Sequence, residues 1–208
     1  MQCSYGSIWR KWDFHIHTPY SILNNNFGFN PFELTEEDLE EKFDEYVTKL
    51  FTLAVENNIA AIGITDYFML EGYKRIKEKY LSSPSKMLQC FPDDEIRHKI
   101  ENIFVFPNIE LRLENFVGQG ASSINYHVIF SNDVAIQDIE DNFLHQLTFN
   151  YDSGNKRSLT FSNIKELGRQ IIQDNNDSGS ELLVGLKHVM ILSRVCLLVK
   201  KRWFFLRC

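Results

Sequence analysis

In the first segment, Lys11 to Ser21 (KWDFHIHTPYS), polar and apolar residues alternate. In an extended strand, successive side chains point to opposite faces of the sheet. Asp13, His15 and His17 would therefore share one face, and the apolar residues between them the other. The pattern predicts a strand that carries two histidines on one side.

A helical pattern follows after a loop rich in asparagine, glycine and proline, Asn24 to Leu34. Thr35, with three acidic residues directly after it, is typical of a helix N-terminus. A hydroxyl can accept from the first free N–H groups there, and acidic side chains favour the positive end of the helix dipole. Apolar residues then recur every three or four positions as far as Glu56–Asn58, which predicts an amphipathic helix.

The run Ile59–Asp66 (IAAIGITD) is apolar without alternation, as expected of a strand that is covered on both faces. Together with the preceding strand and helix, it predicts a parallel β-α-β unit. Later patterns predict helices at about 70–80, 95–102, 135–147 and 161–173, strands at about 103–113, 125–131 and 181–186, and a polar connection at 82–94. This alternation favours an α/β barrel or a doubly wound sheet.

The composition suits one globular domain, because 44% of the 208 residues are hydrophobic. The net charge of -6 argues against a surface that is basic throughout, as a general nucleic-acid binder would have. The four cysteines form no C-x-x-C pair, which indicates reduced thiols and a cytoplasmic protein. The first residues lack the apolar run of a secretory signal, so we expect no secretion.

The composition changes near the C-terminus, where Lys187 to Cys208 contains six lysines and arginines and no acidic residue. Basic residues interrupt its apolar run, so we expect no membrane span. An interfacial basic helix, a core strand with a helix, and the product of a truncation or a shifted reading frame are the alternatives. We therefore expect a main domain over residues 1–186 and an atypical tail over 187–208.

Residues suited to metal binding stand on the four predicted strands, mostly at their ends: His15 and His17, Asp66, Glu110, and His127. In α/β folds the strand ends and the loops after them converge on one opening, so distant residues can meet there. A mixed nitrogen and carboxylate set suits Zn, Mn or Fe better than Mg or Ca. Two ions bridged by Glu110 would suit hydrolysis, with one activating water and the other stabilising charge on the substrate.

These motifs give the chain a resemblance to the PHP (polymerase and histidinol phosphatase) superfamily of metal-dependent phosphoesterases. They are DFHIHT at Asp13–Thr18, TD at Thr65–Asp66, the NIE motif ending at Glu110, and the His127 of NYHVIF. They occur in the order of that superfamily, between Trp9 and Asp133. The chain looks most like the N-terminal domain of bacterial proteins that join PHP to an SMC-like or AAA-type ATPase, some of them placed in anti-phage defence.

The resemblance implies a distorted (β/α)7 TIM-like barrel of PHP type, incomplete at its C-terminus, with divalent transition metal ions as cofactors. His15, His17 and Glu110 would hold a first ion, and Glu110 with His127 a second. Asp13 would orient a ligand histidine rather than bind directly. Asp66 would take part in catalysis, although an aspartate at a strand end is also a common helix cap.

Three departures from the superfamily pattern bear on activity. SILNNN at 21–26 replaces the acidic or histidine ligand usually found soon after the first motif, Tyr67 stands where many members have a histidine, and no Asp-x-His triplet follows His127. Our leading hypothesis is a phosphoesterase domain whose substrate is a phosphoester, with nucleic acid as one candidate. The alternatives are a non-catalytic metal-binding module that regulates or assembles a larger ATPase, and a truncated inactive fragment. The chain has no P-loop sequence, so such an ATPase would lie in another region or subunit.

Overall fold

The computed structural model describes residues 9–21, 25–117, 122–152, 155–175 and 178–191. The chain divides into two compact units. The first unit consists of Met1–Glu110 and His127–Asp138, and the second of Leu111–Tyr126 and Ile139–Cys208. All of the residues proposed as metal ligands from the sequence belong to the first unit.

A four-stranded sheet carries the candidate ligands. Its strands lie side by side in the order β1 (Lys11–His17), β2 (Ile59–Tyr67), β3 (Phe104–Val117) and β4 (Ser122–Ile129). β1 pairs with β2 in parallel, and β2 pairs with β3 in parallel. The sheet curls like half of a barrel, and the described strands do not close a complete barrel. The predicted β-α-β unit and the mixed α/β class are confirmed.

Helix α1 (Glu36–Glu56) connects β1 to β2 and begins where the sequence predicts. The Thr35 hydroxyl caps it by accepting a hydrogen bond from the N–H of Asp38, at 3.2 Å. Its apolar face is buried: Leu39, Phe43, Val47, Phe51 and Ala54. Burying a large apolar side chain contributes about 1.5–3 kcal/mol before entropic costs, so this face holds the helix on the sheet.

The segment after β2 forms three helices. Helix α2 (Glu71–Arg75) continues as a π-helical turn over Ile76–Leu81, and it is followed by α3 (Pro84–Cys90) and α4 (Asp94–Glu101). The polar connection predicted at 82–94 is therefore wrong, because α3 lies within it. The local signal was present: Ser83 accepts from the Lys86 N–H at 3.4 Å, and proline is favoured in the first turn of a helix.

The second unit contains a two-stranded antiparallel sheet of β5 (Thr148–Asp152) and β6 (Asn155–Ser158). Around it in sequence lie α5 (Ile136–Asn142), which begins in the first unit, a 3-10 turn at Leu144–Gln146, α6 (Phe161–Asn175) and α7 (Glu181–Ile191). Within the part of the chain that the structure describes, no helix is both long enough and apolar enough to cross a membrane.

The strand predicted at 181–186 is wrong, because these residues belong to α7. A short apolar run has no period that separates a buried strand from a buried helix, and packing against α6 decides the outcome. The two helices approach so closely that a Cβ on Gly168 would overlap the carbonyl oxygen of Glu181, and one on Gly185 that of Ile164. Residues 192–208 of the predicted tail lie outside the described residues.

Gly72, at the start of α2, is a position where only glycine fits. Its N–H donates to Asp66 Oδ2 at 3.0 Å, and an added Cβ would overlap that oxygen and Thr18 Oγ1. We expect Gly72→Ala to lower the free energy of unfolding by about 1–3 kcal/mol, because both buried groups must move. Gly179→Ala is the matched control, since its Cβ meets only Val184, at 3.6 Å. Denaturant unfolding measures both variants, and equal stabilities would contradict this account.

Candidate metal centre

Three imidazoles, two on β1 and one on β4, converge on one carboxylate oxygen of Glu110 on β3. Glu110 Oε2 lies 3.2 Å from His15 Nε2, 3.4 Å from His17 Nε2 and 3.9 Å from His127 Nε2. The Nε2 atoms of His15 and His17 are 3.0 Å apart. Each distance is shorter than twice the usual metal–ligand distance of about 2.1 Å. These four side chains are called the His/Glu cluster below. His15, His17 and Glu110 are close enough to share a cation, and His127 lies beside Glu110.

The strand pairing explains how residues distant in sequence meet. In the parallel register, His17 on β1 pairs with Thr65, and Tyr67 at the end of β2 pairs with Glu110 on β3. The register of β1 is irregular between Asp13 and Ile16. His15 and His17 nevertheless lie on the same face, as the alternation predicts, since their Nε2 atoms are 3.0 Å apart.

Glu110 has an electrostatic environment that suits a metal ligand. Its side chain is 1% exposed, and its Oε1 atom has no hydrogen-bond partner among the described residues. An ionised carboxylate buried in this way is costly unless a donor or a positive charge compensates it. A divalent cation in the His/Glu cluster would supply that charge, so the residues present fit a metal ion.

The histidines differ in their exposure. Burial lowers the pKa of His17 and that of His127 below the ordinary value, although the Glu110 carboxylate acts in the opposite direction on both. A lowered pKa favours the neutral imidazole, which is the form that binds metals. The His15 side chain is 54% exposed and forms the open side of the cluster.

Asn108 supports the His/Glu cluster from within the sheet and was not predicted from the sequence. Its amide nitrogen donates to Phe14 O at 2.5 Å and to Thr65 Oγ1 at 2.8 Å, and its amide group lies beside His127 Nδ1. Asn108 stands two residues before Glu110, so both side chains lie on the same face of β3. This spacing is the sequence signal that could have identified it.

Asp66 is enclosed by donors next to the cluster. Its Oδ1 accepts from the Ser21 hydroxyl and the Thr18 hydroxyl, both at 2.7 Å, and from the Thr18 N–H at 3.3 Å, while Oδ2 accepts from Gly72. Burial raises the pKa of Asp66 to about 7, whereas these hydrogen bonds act to lower it. The carboxylate thus ties the loop after β1 to β2 and α2, and its expected catalytic role stays a prediction.

Ser21 joins Asp66 to the cluster, and it too was not predicted. Its hydroxyl lies 2.9 Å from His17 Nδ1. On the other side of the strand end, the Tyr46 hydroxyl donates to the backbone oxygen of His17 at 3.0 Å. Both contacts fix the end of β1. Tyr46 follows the helical periodicity that predicts α1, but no periodic pattern marks Ser21.

Asp13 and Tyr67 occupy different places around the cluster. The Asp13 carboxylate accepts from the backbone N–H of His15 at 3.1 Å, so it braces the strand, and its expected role in orienting an imidazole stays a prediction. The Tyr67 ring stacks on the His17 ring, with centroids 4.9 Å apart and planes inclined by 28°. An aromatic wall therefore stands where the resemblance would place a histidine.

Mutation of a residue that supports a metal ligand typically weakens metal binding about 10–100-fold. We expect Glu110→Gln, which changes a ligand itself, to weaken binding of Zn²⁺ or Mn²⁺ by more than that. The amide keeps the size of the side chain but removes its charge. Titration calorimetry measures the affinity. Glu101→Gln is the matched control, because Glu101 lies 3.4 Å from an imidazole, His98, at an exposed site. Equal affinities of the two variants would contradict a metal centre at Glu110.

Comparison with known proteins finds no matching family, no matching curated protein and no matching solved structure. The resemblance to the PHP superfamily therefore stays a prediction that rests on the four sequence motifs. The capacity of the His/Glu cluster to hold a metal ion rests on its own geometry.

Proposed function

We propose that the first unit binds divalent transition metal ions at the His/Glu cluster and hydrolyses a phosphoester. The observation that supports this most directly is the convergence of three Nε2 atoms on the buried carboxylate of Glu110, whose second oxygen has no partner among the described residues. Phosphoester hydrolysis is a reaction that such centres promote. Nucleic acid is one candidate substrate.

The donor set favours Zn, Mn or Fe, because imidazole nitrogen and carboxylate oxygen are combined. His15, His17 and Glu110 would hold one ion, and their ligand atoms all lie within 4.8 Å of one another. His127 with Glu110 would hold a second ion. The parallel pairing of β1, β2 and β3 and the curl of the sheet are compatible with a PHP-type distorted (β/α)7 barrel.

A bound cation would lower the pKa of water and offset negative charge on the phosphoryl oxygens. The residues of the chain would do the rest. Glu110 supplies a fixed negative charge that holds the cation at the sheet. The exposed side chain of His15 leaves an approach for a substrate. Ser21 holds His17 in place, and Asn108 holds His127.

A second candidate is a metal-binding module without turnover, which would regulate or assemble a larger ATPase. The enclosure of Asp66 by four donated hydrogen bonds favours it, because the acid expected to act in catalysis is already fully engaged. The stacking of Tyr67 on His17 favours it as well, since a tyrosine ring fills a position expected to supply a ligand.

We expect the purified chain to hydrolyse bis-nitrophenyl phosphate after loading with Mn²⁺ or Zn²⁺. In His15→Ala we expect the rate to fall at least about 10-fold. The reason is the loss of a ligand atom from the exposed side of the cluster. The rate of nitrophenol release and the bound metal, by elemental analysis, are measured on the same samples. His98→Ala is the control, because its side chain is 80% exposed and pairs only with Glu101 among the contacts described.

The two measurements separate the candidates. Turnover that is abolished in His15→Ala but retained in His98→Ala supports the phosphoesterase. Metal that is retained without turnover, on the nitrophenyl ester and on DNA and RNA oligonucleotides, supports the module. A chain that holds neither metal nor activity would overturn both proposals.

A further inference from the structure

We infer that Ser21, itself held by Asp66, is a positioning residue that fixes the tautomer of His17, so that the lone pair of His17 Nε2 faces Glu110. The consequence for metal affinity rests on the proposed metal centre. The tautomer itself is a property of the chain alone.

The direction of the hydrogen bond follows from what surrounds the Ser21 hydroxyl. Its oxygen lies 2.7 Å from Asp66 Oδ1, 3.2 Å from the backbone oxygen of Thr65 and 2.9 Å from His17 Nδ1. Above the pKa of about 7 that burial gives Asp66, its carboxylate only accepts, as a carbonyl oxygen does, and a hydroxyl has one proton to give. That proton is directed to one of these two oxygens. Toward His17, Ser21 can therefore only accept, and Nδ1 must carry the hydrogen.

A neutral imidazole has one N–H, so a hydrogen on Nδ1 leaves the lone pair on Nε2. In His17 that atom lies 3.4 Å from Glu110 Oε2 and 3.0 Å from His15 Nε2. Two acceptors, the His17 nitrogen and the Glu110 oxygen, thus face each other. Such an arrangement is favourable only with a cation, or with the N–H of His15, between them.

Asp66 makes the Ser21 orientation rigid. Ser21 is fully buried, and the Gly72 N–H at the start of α2 holds the same carboxylate from another segment of the chain. The hydroxyl therefore cannot turn toward solvent to exchange its acceptor. A buried carboxylate is a strong acceptor, which secures the serine proton and, through it, the proton on His17.

A separate group gives His127 the same tautomer. Both N–H bonds of the Asn108 amide are engaged, one with Phe14 O and one with Thr65 Oγ1. The amide nitrogen and the carbonyl oxygen of Asn108 lie 3.1 Å and 3.3 Å from His127 Nδ1. With both N–H bonds engaged elsewhere, the group left for His127 is the carbonyl oxygen, which can only accept. Nδ1 again carries the hydrogen, and Nε2 again faces Glu110 with its lone pair. His17 and His127 therefore have the same tautomer, each fixed by a different side chain.

Nuclear magnetic resonance of the metal-free wild-type chain tests the tautomer directly. The protein is labelled with ¹⁵N in histidine, kept in a chelator at alkaline pH so that the imidazoles are neutral, and assigned with single His→Gln variants. Long-range ¹H–¹⁵N correlation spectra distinguish the two tautomers. We expect His17 to carry its hydrogen on Nδ1. A hydrogen on Nε2 of His17 would overturn the inference, and this result needs no serine variant to fold.

Ser21→Ala then tests the consequence. The substitution removes the hydroxyl beside Nδ1 and leaves His17 its interaction with the Thr65 backbone. His17 is then expected to populate both tautomers, and the affinity for Zn²⁺, measured by calorimetry, is expected to fall about 10–100-fold. Thr18→Val is the matched control. It removes a fully buried hydroxyl that donates to the same Asp66 oxygen at the same 2.7 Å, and that hydroxyl has no imidazole contact among those described.

The inference predicts that Thr18→Val lowers stability but leaves the His17 tautomer and the Zn²⁺ affinity unchanged. Equal losses of affinity in the two variants, or an unchanged tautomer in Ser21→Ala, would overturn it. Failure of the proposed function is distinguishable, because a wild-type chain that binds no metal would reject the metal centre while the spectra still decide the tautomer.

Discussion

The buried carboxylate of Glu110 is the constraint around which the first unit is arranged. It lies in the interior of a parallel sheet, where a negative charge is expensive, with three imidazole nitrogens near one oxygen and no described partner for the other. A fold keeps such a group only where something compensates its charge. The groups around it, at the ends of β1 and β2 and on β3 and β4, are consistent with compensation by a cation.

The polar groups around this carboxylate form a framework rather than a row of separate ligands. Asp66 gathers the loop after β1, the end of β2 and the start of α2, and Asn108 joins β1, β2 and β4 through Phe14, Thr65 and His127. Networks of this kind are worth keeping only when nearly every member is satisfied. Glu110 Oε1, which has no hydrogen-bond partner among the described residues, is therefore an exception among these polar groups.

Much of the local structure follows from the sequence because short-range physics decides it. The acid-rich cap at Thr35, the apolar stripe of α1 and the apolar run of β2 are each specified by neighbouring residues, and each prediction is confirmed. Predictions were wrong where the local signal was ambiguous. The run at 181–186 is a helix because two glycines allow α7 to pack against α6, and α3 begins at a Ser-Pro pair that was interpreted as part of a connection.

For the site, the sequence by itself determined the donor types, since His15, His17, Glu110 and His127 stand out by their chemistry and by their places on the strands. Only the tertiary structure decided how these donors are oriented. Ser21 contacts His17 from the loop after β1, and Asn108 contacts Phe14, 94 residues away in the chain. The register of β1 is irregular, and no hydrophobic periodicity records these features. Hydrogen-bond direction depends on which acceptors surround a group in space, and that information exists only once the strands have been brought together.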